Sequence, residues 1–90
     1  MTQNQNNKPI DTIRDGDLKA TIWKNLGEKG TFYTVDISRT YQDASGTFHD
    51  SHSFSGAELL RVSRLADIAY TEIGIHRQND RMDAANQEAA

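Results

Sequence analysis

The stretch SRTYQDASGTFHDSHSFSGAELLRV, Ser38 to Val62, decides how this 90-residue chain folds. QDASG reads as a turn, with Gly46 supplying a positive φ. The polar run TFHDSHSF after it is expected to return antiparallel to the strand before it, closing a hairpin. In that run Phe48, Asp50, His52 and Phe54 alternate with Thr47, His49, Ser51 and Ser53, which suits an edge or bulged strand. Ser55 then reads as a helix N-cap. Glu58, three residues on, completes a capping box before the apolar periodicity begins. A strand, a tight turn, a strand and a capped helix are therefore encoded in 25 residues.

Upstream, TFYTVDISRTY alternates cleanly. Tyr33, Val35 and Ile37 share one face; Phe32, Thr34, Asp36, Ser38 and Thr40 share the other. DGDLKATIWKN predicts a strand over 17–25, with Leu18, Ala20 and Ile22 opposite Lys19, Thr21 and Trp23. IDTIRDG holds a short strand ending at an Asp15-Gly16 turn, and NLGEKG reads as a loop. The expected fold is α+β: a curved antiparallel sheet of three to four strands followed by one long C-terminal helix, in the order β-β-β-β-α.

From Gly56 the pattern becomes helical. Leu59, Val62, Leu65, Ala66, Ala69 and Ile73 form one apolar stripe, and the helix is expected to end between Ile73 and Arg77. A second, narrower stripe holds Leu60, Ile68 and Ile75. One helix on one sheet needs a single apolar face, so these three are the expected dimer interface; scattered exposed apolar residues are the plainer account. A small body with a thin core gains from pairing.

The chain is expected to be one domain over 9–76, with an unstructured tail at 1–8 and a frayed or disordered tail at 77–90. It has no Cys, hence no disulfide and no thiolate zinc site. No signal peptide is visible and no apolar run approaches membrane-spanning length, which predicts a cytoplasmic protein without membrane contact. The net charge of -3 weighs mildly against nucleic acid, although a basic patch needs only a local excess.

No catalytic residue, metal site or cofactor is expected. His49 and His52 are an odd number apart on a strand and point to opposite faces. Asp15 and Asp17 form a D-x-D pair but flank Gly16, where Asp serves a turn. No phosphate-binding Gly-rich loop and no nucleophile elbow is present. Binding is the better prospect. Trp23 beside Lys19 and Thr21 makes a stacking platform for unpaired bases. Large aromatics also fill second sheet faces and subunit seams.

The stretch from Val35 to Leu65 resembles the C-terminal half of the transcriptional positive cofactor four family, small bacterial members included. Val35-Asp36-Ile37 fit its strand, Tyr41 its aromatic, Asp43 to Gly46 its turn, Ser55 its cap and Leu59 to Leu65 its helix. IRDGDLKATIWKN resembles the opening of small uncharacterised bacterial proteins. The resemblance implies a curved sheet backed by one helix, a homodimer, and single-stranded DNA on the concave polar face. By position, Tyr41 would be a stacking aromatic.

The expected function is that of a non-enzymatic, homodimeric protein binding single-stranded DNA or RNA, a transcription or replication accessory factor. Trp23, Phe32 and Tyr41 would stack on bases, with Thr21 beside them. Lys19, Lys24, Lys29 and Arg39 would neutralise phosphates. The alternative is a protein-interaction module or small regulator using the same fold. A continuous positive track across the strands favours nucleic acid; interleaved Asp36 and Asp50 favour a protein partner.

Overall fold

The computed structural model describes residues 8–89. The tail expected at 1–8 therefore lies outside the described residues, Lys8 excepted. Four strands and one helix follow in order: β1 Asp11–Asp15, β2 Leu18–Gly27, β3 Gly30–Gln42, β4 Phe48–Ser51, a single 3-10 turn at Gly56–Glu58, and α1 Leu59–Ala89. The sheet is a four-stranded antiparallel meander in chain order, so the β-β-β-β-α arrangement is as expected.

Two tight turns set the register. Asp15 pairs with Leu18, leaving Gly16 and Asp17 as the connection, with Gly16 at φ 62°. Arg61 of the helix clamps this turn. Its Nη2 donates to the Asp15 carbonyl at 2.6 Å and to Asp17 Oδ1 at 3.2 Å, and its Nε donates to Asp15 Oδ2 at 3.2 Å. The positive φ is what favours glycine here; a Cβ on Gly16 would also sit 2.9 Å from Arg61 Nη2 and push the end of that side chain aside. The D-x-D pair thus serves a turn and an arginine. The second connection is shorter than NLGEKG implied. β2 and β3 pair as far as Gly27 and Gly30, leaving only Glu28 and Lys29 between them. Strand pairing carries the ladder through residues whose composition reads as a loop.

One face of the sheet carries the helix. Leu18, Ala20 and Ile22 are fully buried there, with Leu65 and Ala69 of α1 almost so; Ile13, Ile37, Phe54 and Val62 pack around them. Glu58 accepts a 2.9 Å bond from the Ser55 backbone N–H, capping the helix start as expected. The contact stripe is narrower than the sequence implied: Leu59 is 55% exposed and Ala66 is exposed as well. Of that stripe, Val62, Leu65, Ala69 and Ile73 are the buried or half-buried positions.

The helix does not end at 73–77. It continues to Ala89, so residues 77–89 are helical rather than a frayed tail. Beyond Ile73 the attachment to the sheet turns polar. His76 stacks on Tyr33 with ring centroids 6.1 Å apart. Asp80 accepts a hydrogen bond from the Tyr33 hydroxyl and another from Lys24 Nζ. These partners hold the Asp80 carboxyl below its usual range, while burial first and then Asp80 raise the Tyr33 hydroxyl. Apolar periodicity cannot announce such an attachment. No helix among the described residues is long and apolar enough to cross a membrane.

Candidate nucleic-acid interface

The face of the sheet away from the helix is open. Register places Thr12 and Arg14 of β1, Lys19, Thr21, Trp23 and Asn25 of β2, Phe32, Thr34, Asp36 and Thr40 of β3, and Phe48 and Asp50 of β4 on it. A shallow groove of about 350 Å³ runs across its centre, lined by Pro9, Thr12, Arg14, Lys19, Thr21, Trp23, Asp36 and Asp50. Trp23 is half-buried in this groove and lies outside the hydrophobic core. Phe32 is a diagonal neighbour of Trp23, since Trp23 pairs with Thr34 and Asn25 with Phe32. Phe32 is 50% exposed and Phe48 69%. Asn25 Nδ2 donates to Thr34 Oγ1 at 3.2 Å, fixing the polar floor between the rings.

Charge on this face is balanced. Arg14 and Lys19 line the groove beside Asp36 and Asp50. Lys19 Nζ lies 3.3 Å from Asp50 Oδ2, and His52 Nε2 lies 2.8 Å from Asp36 Oδ1. Thr40 Oγ1 donates to Asp50 Oδ1 at 2.9 Å, and this bond, followed by Lys19, lowers the Asp50 carboxyl. The acids interrupt any continuous positive track.

The eight residues expected to hold nucleic acid do not come together. Lys19, Thr21, Trp23 and Phe32 share the open face, and Lys29 sits at the tip of the β2–β3 hairpin. Lys24, Arg39 and Tyr41 lie on the opposite face and cannot reach a ligand laid across Trp23. Lys24 is taken up by Asp80 and Tyr33. Arg39 sits 3.6 Å from Glu58, with its guanidinium 5.3 Å from the Tyr41 ring centroid, and Tyr41 stacks on His49 at 5.4 Å. The correction follows from strand parity, because an even position on β2 and an odd position on β3 both look toward the helix. The expectation that His49 and His52 separate holds: His49 pairs with Asp43 and His52 with Asp36. Arg14, Thr12 and Phe48 were missed; alternation along IDTIRDG was the available signal for the first two.

The expected dimer residues are divided as well. Leu60 is 84% exposed and Ile75 48%, whereas Ile68 is half-buried in the cleft between β1 and α1.

The fold and this face define an α+β sheet-and-helix domain that presents one hydroxyl-rich sheet surface with exposed aromatic rings. No family model matches the chain, and no curated protein or solved structure matches it either.

Proposed function

We propose that this is a non-enzymatic cytoplasmic binding protein whose open sheet face holds single-stranded nucleic acid. The observation that carries the reading is the placement of Trp23. Its indole is accessible in a groove between Lys19, Thr21 and Arg14, one diagonal step from the exposed Phe32 ring. Successive rings on a polar sheet stack unpaired bases without regard to sequence. The resemblance to the transcriptional positive cofactor four family implies a single-strand ligand and a role as a transcription or replication accessory factor, but its stacking aromatic, Tyr41, lies on the helix side, so Trp23 and Phe32 would take that part. Phosphates would meet Arg14, Lys19 and Lys29, a smaller set than the sequence implied. Titrating Trp23 fluorescence with oligo-dT at low salt tests the reading. Saturable quenching, with anisotropy of a dye-labelled oligo-dT that rises with wild type and is weakened in Trp23→Ala, supports it; no quenching at high micromolar strand removes it.

One observation favours a second reading. Asp36 and Asp50 stand among the groove's cations, a pattern that complements a mixed-charge peptide better than a polyanion. In that case the same face binds a protein, and pull-down by the wild type would be lost in Trp23→Ala.

The homodimer belongs to the same proposal. The chain's Cα radius of gyration is 16.3 Å, against about 12 Å for a compact domain of this length. Among the described residues only five apolar side chains are buried. A second copy covering Leu60 and Ile75 would supply burial that one chain lacks.

A further inference from the structure

Three side chains from distant parts of the sequence meet at the seam between β1 and α1. Asp11 opens β1. Glu72 and His76 are four residues apart on α1 and so lie one above the other on a single helix face. The ligand atoms of all three fall within 4.8 Å of one another, and each residue is half-buried. We propose that Asp11, Glu72 and His76 form a binding site for a divalent transition-metal ion of the zinc type.

The charge pattern of the molecule points there. Five carboxylates among the described residues are half-buried: Asp11, Asp15, Glu58, Glu72 and Asp80. Three hold a cation, Asp15 with Arg61, Glu58 with Arg39 and Asp80 with Lys24. Asp11 and Glu72 are the two that form no ion pair among the described residues. Two carboxylates facing one imidazole leave a concentration of negative charge that a divalent cation would neutralise. The neighbouring charges are Asp80 on α1 and Lys24 on β2, and these two are joined at 3.0 Å.

The donor chemistry fits. Zinc takes imidazole nitrogen and carboxylate oxygen at about 2.0–2.2 Å, commonly three protein ligands and a water. Ligand atoms on one tetrahedral ion stand about 3.3–3.5 Å apart, so these atoms, within 4.8 Å of one another, would close in by at most about 1.5 Å around it. Next to the site, His76 stacks on Tyr33, whose hydroxyl is fixed by Asp80. An outer contact of this kind keeps a ligand ring oriented. The ion would tie the edge strand to the middle of the long helix, where apolar packing runs out. Spacing along the chain gives no hint of this, because the first ligand is separated from the other two by the whole sheet.

The test uses the full chain in ZnCl2 and in EDTA, read by thermal unfolding and by titration calorimetry. The parent should bind one ion per chain and melt higher with zinc. A variant carrying His49→Gln and His52→Gln should behave as the parent. Glu72→Gln and His76→Gln should each weaken binding by more than about tenfold and abolish the melting shift. Circular dichroism checks that each variant folds, and if one does not, Asp11→Asn decides in its place. Absence of zinc binding by the parent overturns the proposal. So does binding that survives in Glu72→Gln and His76→Gln, or that is lost with His49 and His52.

Discussion

Lys24 Nζ lies 3.0 Å from Asp80 Oδ1, joining the second strand to a helix turn far from the apolar core. Lys24 therefore binds the helix instead of facing the open groove. The pair is partly exposed, at 41% and 36% of the side chains, and such pairs contribute about 0–1 kcal/mol. Lys24→Ala should lower global stability by less than about 1 kcal/mol while speeding hydrogen exchange over residues 77–86. The same substitution should leave oligo-dT affinity within about twofold of wild type, whereas Lys19→Ala should weaken it. Equal losses for both variants would contradict the division of faces.

Asp50 restrains Lys19 on the proposed ligand face. Asp50→Asn removes one negative charge from the groove and releases an ammonium. If the face takes single strands, oligo-dT affinity should rise, and the slope of log K against log salt should steepen by about 0.7. Measuring affinity at several salt concentrations checks this, and a weaker complex in Asp50→Asn would count against a nucleic-acid ligand. Trp23→Ala should cost about 1–3 kcal/mol of binding, read by anisotropy of a dye-labelled oligo-dT because the variant has no tryptophan left.

Acid should loosen the β3–β4 turn. Asp43 Oδ1 accepts from the Ser45 hydroxyl at 2.7 Å and from the Ser45 and Thr47 backbone N–H groups at 2.9 and 3.0 Å, and Oδ2 meets His49 at 2.7 Å. Hydrogen bonding to Ser45, then to His49, holds this carboxyl down to about 2. The folded value is lower than the unfolded one, near 3.9, so the unfolded chain takes up protons first. The contribution is present above about pH 4 and is lost as pH falls toward 2. Carboxyl NMR should place the Asp43 midpoint near 2, and Asp43→Asn should remove this part of the pH dependence. A midpoint near 4 would mean that the turn does not hold the carboxylate.

The core is small enough for one residue to decide stability. Leu65 is 1% exposed and packs with Leu18 and Ala20. Leu65→Ala should cost about 2–5 kcal/mol, a large part of the 5–15 kcal/mol typical of a domain. A urea melt reads it directly. Leu60, at 84% exposure, is the contrast. Leu60→Glu should leave the melting point of dilute protein within a few degrees, yet remove dimers from sedimentation profiles at high concentration. An unchanged oligomeric state would take Leu60 out of the subunit contact.

Local rules reach the elements because each is written in adjacent residues. Alternation gave β2 and β3, Gly46 with Asp43 gave the turn, and Ser55 with Glu58 gave the helix start. They misjudged both ends of long elements. Gly27 and Gly30 read as loop residues, yet they close a ladder whose stability comes from the partner strand. Residues 77–89 read as a tail because they carry no apolar stripe, yet Asp80 docks through a lysine and a tyrosine.

What the sequence by itself determined is the order of strands and helix, and which residues of each strand share a face. Period-two alternation is a property of the chain alone. What only the tertiary structure decided is which of those faces the helix covers, and so which side chains a ligand can touch. That choice joined Trp23 with Arg14 and Phe32, and turned Lys24, Arg39 and Tyr41 toward α1. It also brought Asp11 to Glu72 and His76. Facing and cross-chain proximity depend on how packed layers settle against one another, and no spacing along the backbone records them.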